Sequence, residues 1–137
     1  MVSWSRAFPG RPEQVSCARQ FVTSVLAGRP EADEAALVAS ELCTNAVRHS
    51  ASGGPDGMFA VTVRRDQDRS LVSVLDMGSP NQPVIAADGG LDSLECGRGL
   101  VLVAALAKEW GTARNRLGCE VWAELASASD EDREPKS

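Results

Sequence analysis

Apolar and polar residues alternate over residues 2–8, and this period of two predicts a first strand. From Pro12 to Gly28 the apolar positions recur every three or four residues, which indicates a helix that begins at the proline and ends at the glycine. A second helical pattern begins at Pro30 and continues beyond residue 45. The first part of the chain is therefore expected to form one strand and two helices.

A hairpin is predicted by two alternating segments, residues 58–65 and 70–76, with a polar turn between them. Residues 78–96 are rich in Gly, Pro, Asp and Ser, and a linker this long inside a compact domain is typical of a functional lid. The dense apolar segment 100–108 predicts a deeply packed third helix, because it is apolar on nearly every side. Two last strands are expected near residues 109–125.

The chain of 137 residues fits a single domain, which we assign to residues 1–126, and residues 127–137 are expected to form a disordered acidic tail. The net charge of -5 argues against a nucleic-acid partner, because no basic stripe is available to neutralise phosphates. No apolar run approaches the ~20 residues of a membrane span. No signal-peptide pattern is present either, so we expect no membrane association.

The four cysteines form no C-x-x-C pair, and the chain has one histidine, so a structural zinc site is not expected. Four thiols without a signal sequence fit a reducing compartment, which predicts a cytoplasmic protein. These cysteines are Cys17, Cys43, Cys96 and Cys119.

The second helical pattern carries Glu41 and Asn45, which lie one above the other at 3.6 residues per turn. Both border the apolar stripe of the helix, a position well placed to face a cleft. Mg²⁺ prefers oxygen ligands of this kind, and a carboxylate there can also act as a base. A solvated helix flank is the alternative interpretation of such a pair taken alone.

Asp76 ends the second strand of the hairpin, on the same face as Val72 and Val74, and Gly78 follows it. A carboxylate at this position can accept a hydrogen bond from an exocyclic amine such as that of adenine, while the glycine lets a ring approach the backbone. The alternative is an aspartate that only serves a turn.

The segment Gly97-Arg98-Gly99-Leu100 precedes the third helix, and glycines before a helix expose N–H groups at the positive end of its dipole. The segment matches neither the Walker pattern nor the dinucleotide fingerprint. It predicts an anion site, although glycine also simply starts helices. Arg98 would contact a phosphate or point to solvent.

In order, these motifs offer a metal ligand, an adenine contact, a lid and a phosphate site. This arrangement resembles the ATP-binding domain of the GHKL superfamily, shared by gyrase, the heat-shock chaperone, histidine kinases and the mismatch-repair ATPases. It is most similar to the small anti-sigma factor serine kinases, over about residues 8–125. The resemblance implies a two-layer α/β sandwich of the Bergerat type, in which three helices cover one face of a mixed, mostly antiparallel sheet.

The resemblance also implies roles for single residues. Glu41 would be the general base that activates the attacking hydroxyl, Asn45 would hold Mg²⁺, and Asp76 would bind the adenine amine. The glycine pair before the third helix would line the phosphates of ATP under the lid. The implied nucleotide-binding residues are Asn45, Arg48, Asp76, Gly78, Gly97, Arg98, Gly99 and Leu100.

The implied function is that of an ATP- and Mg²⁺-dependent anti-sigma factor. Such a protein holds a sigma factor inactive, phosphorylates a serine of an anti-anti-sigma antagonist, and forms a homodimer. Arg19, in the first helix, matches the arginine that contacts partners in this family, and an ordinary surface arginine is the alternative. The function would belong to transcription regulation.

Three departures from the family pattern favour a second hypothesis. Pro80 replaces a frequent second glycine, Glu120 stands where the last strand usually carries a threonine, and Glu95 replaces a basic residue. Both acids would add negative charge near a polyphosphate. The second hypothesis is therefore a nucleotide-gated binding protein without significant kinase activity. A third, a detached ATPase module of a sensor kinase, is disfavoured because no phosphoacceptor segment is visible.

The single histidine, His49, lies inside the Glu41 helix and is interpreted as a packing residue or a neighbour of the site, not as a phosphoacceptor. The three tryptophans lie on predicted strands or at a helix end and are interpreted as core residues. They are Trp4, Trp110 and Trp122.

Overall fold

The computed structural model of the protein describes residues 1–49, 57–76, 100–114 and 118–127. In these ranges the chain forms eight elements, close to the predicted ones. They follow in the order β1 (Val2–Pro9), α1 (Pro12–Val25), α2 (Ala32–His49), β2 (Met58–Arg65), β3 (Arg69–Asp76), α3 (Leu100–Leu106), β4 (Glu109–Arg114) and β5 (Cys119–Ala126). None of the helices in these ranges is long and apolar enough to cross a membrane.

The five strands form one sheet in the order β1-β2-β3-β5-β4. All four pairings are antiparallel, so the prediction of a mixed sheet is wrong for the strands described. The reason lies in the final hairpin of β4 and β5. β5 lies between β3 and β4 and is antiparallel to both, so β4 and β3, which run in the same direction, are not neighbours in the sheet. The α/β sandwich with three helices is confirmed.

The core lies between the helices and one face of the sheet. The predicted stripe of α2 is buried throughout, at Ala35, Val38, Ala39, Leu42 and Ala46. Alternate residues of the strands face it, as the period of two requires. At one end, the Phe8 ring stacks on Phe59 at 5.6 Å and meets Phe21 of α1 edge-on at 6.1 Å between ring centroids.

The third helix and one tryptophan are less buried than predicted. α3 has seven residues, of which Leu100 and Val103 are buried, whereas Val101 is 87% exposed. Trp110 is 38% exposed because β4 lies at the edge of the sheet that the described strands form, next to β5. The predictions of a deeply packed helix and of Trp110 as a core residue are therefore wrong, and Trp4 and Trp122 are half-buried.

Two of the cysteines carry free thiols, exposed Cys17 and buried Cys43, whereas Cys119 is disulfide-bonded. The expectation of four free thiols is therefore wrong at Cys119, and this removes one premise of the predicted cytoplasmic location. Ser127, the first residue of the predicted tail, is buried, and its N–H donates to the Asp68 carbonyl. Residues 128–137 lie outside the described ranges.

Candidate functional site

Glu41, Asn45 and Arg48 share one face of α2, because positions four and seven residues apart in a helix lie nearly in line. Glu41 and Asn45 are half-buried and Arg48 is exposed. The neighbouring stripe of α2 is fully buried, so the pair borders the core as predicted. α2 therefore presents a carboxylate, an amide and a guanidinium on one face, where the first two groups are half-buried and the third is exposed.

The side-chain amide of Asn45 is the feature that most clearly points to a ligand. Its Nδ2 is buried, and no hydrogen-bond acceptor for it exists among the described residues. A buried donor without a partner costs about 1–3 kcal/mol. A bound molecule with acceptor oxygens would satisfy this donor, while the Oδ1 of the same amide remains available as a metal ligand of the kind Mg²⁺ prefers.

Asp76 is the last residue of β3, and by alternation it lies on the helix-facing side with Val72 and Val74. Its Oδ1 accepts a hydrogen bond from the backbone N–H of Cys119, at an N···O distance of 3.3 Å. Asp76 is half-buried. The adjoining strand thus orients the carboxylate through its main chain, at the edge of the face on which α2 packs.

Glu120 faces the other side of the sheet. Cys119, Val121 and Ala123 belong to the core on the helix side, so the alternation of β5 places Glu120 on the opposite face. Its backbone partner is Leu75, the neighbour of Asp76. Cys119 is therefore the β5 residue that shares a face with Asp76, and the effect of Glu120 on a bound polyphosphate stays a prediction.

Cys43 lies on α2 between Glu41 and Asn45, but it points into the core and is fully buried. Burial raises the pKa of its thiol to about 12, so the thiol stays protonated at neutral pH. The thiolate is the reactive form of cysteine. Cys43 is thus a packing residue.

Part of the predicted site lies outside the described ranges. This part includes the predicted lid, residues 78–96, which contains Pro80 and Glu95. Leu100, which was grouped with the phosphate site, is the first residue of α3 and is buried. His49 ends α2. The other members of the predicted site outside the described ranges are Gly78, Gly97, Arg98 and Gly99.

The described residues hold no group of three or more His, Cys, Asp or Glu side chains that would enclose a metal ion. Mg²⁺ in nucleotide sites is commonly held by one or two protein groups together with phosphate oxygens and waters. A single amide such as that of Asn45 therefore fits Mg²⁺ that arrives with a nucleotide, and it does not fit a structural ion held by the protein alone.

Arg19 lies on the exposed side of α1. It lines a shallow depression of about 290 Å³, and its carbonyl accepts a hydrogen bond from the Thr23 hydroxyl at 3.0 Å. Every side chain that lines this depression ends in a hydroxyl, amide or guanidinium group. The lining residues are Ser16, Arg19, Gln20, Thr23 and Ser24.

Sequence reasoning did not find the contact between Cys119 and Asp76, because a backbone donor leaves no trace in residue type. The alternation of β5 was the available signal, since it distinguishes Cys119 from Glu120.

A model of the Histidine kinase-like ATPase domain matches residues 8–125, and the chain belongs to this family. No curated protein matches the chain.

Membership confirms the resemblance to the GHKL-type ATPases and their fold. The family supports an ATP-binding regulatory function with a kinase-type use of ATP.

Proposed function

We propose that this protein is an ATP-binding anti-sigma factor that sequesters a sigma factor and phosphorylates a serine of an anti-anti-sigma antagonist. The observation that carries the proposal is the unsatisfied amide of Asn45, one helical turn after Glu41. An amide and a carboxylate at this spacing provide a metal ligand and a proton acceptor on one rigid element. The adjoining strand β3 adds an oriented carboxylate at Asp76.

Each residue has a separate role in the proposed reaction. The Asp76 carboxylate would accept a hydrogen bond from the adenine amine, and Asn45 would hold Mg²⁺ and contact the phosphates. Glu41 accepts the proton of the serine hydroxyl while the hydroxyl oxygen attacks the γ-phosphorus and ADP leaves. Phosphoryl transfer depends mainly on positioning and charge neutralisation, so a base, a metal ion and a binding site are sufficient parts.

The partner surface proposed for the sigma factor is the exposed side of α1 around Arg19. Its support is chemical: one guanidinium is surrounded by hydroxyl and amide side chains in a shallow depression. Such a surface offers hydrogen bonds to acidic or polar groups of another protein. The second copy in the proposed homodimer and the sigma factor would both meet this helix.

The orientation of Glu120 bears on the choice between kinase and nucleotide-gated binding protein. The second hypothesis depended on two acids near the phosphates, and one of them, Glu120, lies on the far face of the sheet. This removes one of the two acids from the reasoning behind the second hypothesis, while Glu95 lies outside the described ranges. A protein that responds to nucleotide without phosphoryl transfer is the alternative outcome of the experiment.

A single-turnover phosphotransfer assay tests the proposal. The wild-type protein, Glu41→Ala and the control Glu34→Ala are mixed with γ-labelled ATP, Mg²⁺ and antagonist candidates that co-purify with the protein. Glu34 is an exposed acid in the first turn of the same helix. We expect Glu41→Ala to slow transfer by roughly 10²–10⁴-fold with ATP binding retained. Glu34→Ala should match the wild type.

Comparable transfer rates in wild type and Glu41→Ala would end the role of Glu41 as base. Absence of transfer from the wild type, together with ATP-dependent release of a bound partner, would identify the nucleotide-gated binding protein instead.

A further inference from the structure

A buried carboxylate lies at the opposite end of α2 from Glu41 and Asn45. Glu31 immediately precedes α2, and its side chain is 1% exposed. Its Oε2 accepts a hydrogen bond from the Ser70 hydroxyl at 2.5 Å and from Arg29 Nε at 3.0 Å. Its Oε1 is buried without a partner among the described residues. This carboxylate joins the start of α2 to the start of β3.

Further polar contacts hold the same end of the molecule together. Arg29 also donates to the Arg69 carbonyl at 3.2 Å, and Arg65 donates from the hairpin to the Val25 carbonyl at the end of α1, at 2.8 Å. Arg69 in turn forms an ion pair with Glu124 of β5 at 3.3 Å. The connection between α1 and α2 is thus attached to β2 and β3 through directional contacts.

α2 and β3 extend from this joint over nearly equal lengths. Fourteen residues separate Glu31 from Asn45, which is about 21 Å of helix. Six residues separate Ser70 from Asp76, which is about 20 Å of strand. α2 packs more extensively on β3 than on any other described strand. Asn45 and Asp76 therefore each lie about 20 Å along their own element from the contact between Glu31 and Ser70.

The apolar contact surface of α2 is built largely from small side chains. Three of the five stripe residues of α2 are alanines, Ala35, Ala39 and Ala46, which present a smooth surface to the strands. Apolar burial is non-directional and roughly proportional to area. A hydrogen bond between two oxygens prefers a separation of about 2.5–3.0 Å and a nearly linear angle, so the polar contact adds a directional constraint on the position of α2 along β3.

We propose that the contact between Glu31 and Ser70 positions the nucleotide site: it sets how far α2 lies along β3, and so sets the separation of Asn45 from Asp76. Glu31 and Ser70 are positioning residues and touch no nucleotide. The inference rests on the proposed function in taking Asn45 and Asp76 as contacts of one nucleotide.

The first test measures Mg²⁺-dependent ADP affinity by calorimetry, at a temperature where thermal unfolding shows every variant folded. Ser70→Ala removes the donor and should weaken ADP about tenfold, because small misplacements of binding groups have large effects. Glu31→Gln keeps an acceptor and should weaken ADP less. The control is Ser73→Ala, a buried serine on the opposite face of β3, which should leave ADP affinity unchanged.

The second test needs no nucleotide and compares backbone amide NMR spectra of the same variants. Loss of the contact at residue 31 should shift amide signals at residues 45–49, the far end of α2, in Ser70→Ala but not in Ser73→Ala. Shifts confined to the surroundings of residues 31 and 70, or equal ADP affinity in Ser70→Ala and Ser73→Ala, would overturn the proposal. A wild type that binds no ADP would refute the proposed function, while the NMR comparison still decides the positioning role.

Discussion

The backbone N–H of Cys119 donates a hydrogen bond to Asp76 Oδ1, at an N···O distance of 3.3 Å. The two residues end β3 and begin β5, which are neighbours in the sheet. Because the donor is a backbone group, the orientation of the Asp76 carboxylate follows from strand pairing and not from the cysteine side chain. The sheet thus holds the predicted adenine contact in place before any ligand binds.

Asp76→Asn should weaken ATP binding by about 1.5–3 kcal/mol, the usual value of a hydrogen bond to a charged group. Asparagine keeps one acceptor oxygen, so the bond from Cys119 and the fold should persist, but a second acceptor oxygen for the adenine amine is lost. Calorimetric titration with ATP and GTP gives the measurement. Equal affinity of the wild type for the two nucleotides would show that Asp76 does not recognise adenine.

The matched control for this substitution is Glu120→Gln. It removes a carboxylate one residue beyond Cys119 in β5, but on the face of the sheet away from the helices. Its ATP affinity should stay within about twofold of the wild type, since the half-buried Glu120 lies across the sheet from the predicted adenine contact. A large gain in affinity would place this charge near the phosphates after all.

The sequence predicted the strands, the two long helices and the hairpin because each has an uninterrupted period. The turn of the hairpin was also visible as a polar segment: Asp66 Oδ1 accepts from the N–H groups of Asp68 and Arg69 at 2.9 and 3.1 Å. The order of strands in the sheet was not predictable in the same way. Period alone says nothing about which strand becomes an edge, and this is why Trp110 was assigned to the core.

Glu31 predicts a pH dependence of stability. Burial raises the pKa of its carboxyl, but hydrogen bonds from the Ser70 hydroxyl and the backbone, together with Arg29, outweigh burial, so the pKa lies below the usual 4.5. A carboxyl with a lowered folded pKa stabilises the protein above its unfolded pKa, and this contribution is lost as the pH falls through the folded pKa.

The free energy of unfolding of the wild type should therefore decrease as the pH falls from about 5 to about 3, more steeply than that of Glu31→Gln. Urea titrations at several pH values measure both slopes. The pKa of Asp66 is also lowered, chiefly by the hydrogen bond from the N–H of Asp68. Both proteins contain Asp66, so its contribution to the pH dependence cancels in the comparison. Parallel pH profiles of the two proteins would mean that the partners of Glu31 do not lower the pKa of its carboxyl on folding.

Gly111 allows Trp122 to lie across β4. A Cβ atom at Gly111 would lie 2.7 Å from Trp122 Cζ2, which is far inside contact distance. Gly111→Ala should destabilise the protein by about 1–3 kcal/mol through overpacking. Thermal and urea unfolding give the value. The double variant Gly111→Ala, Trp122→Leu should recover part of the loss, and strictly additive effects would contradict a direct contact.

The candidate site was predictable where residue type carried the chemistry. Glu41 and Asn45 stood out because a carboxylate and an amide at helical spacing border an otherwise apolar stripe, and the structure places both at that border. The contact between Glu31 and Ser70 was not predictable, since 39 positions separate its members in the chain and an acid before a helix has an ordinary local explanation. Only the packing of α2 on β3 brings these two together.

The proposed nucleotide site depends above all on Asn45, whose buried Nδ2 has no partner among the described residues. The most direct measurement is a calorimetric titration of wild type and Asn45→Ala with ATP, each with and without Mg²⁺. We predict Mg²⁺-dependent binding by the wild type and a loss of at least about tenfold in Asn45→Ala, with circular dichroism unchanged. Equal ATP affinity in the two folded proteins would contradict the assignment of this site.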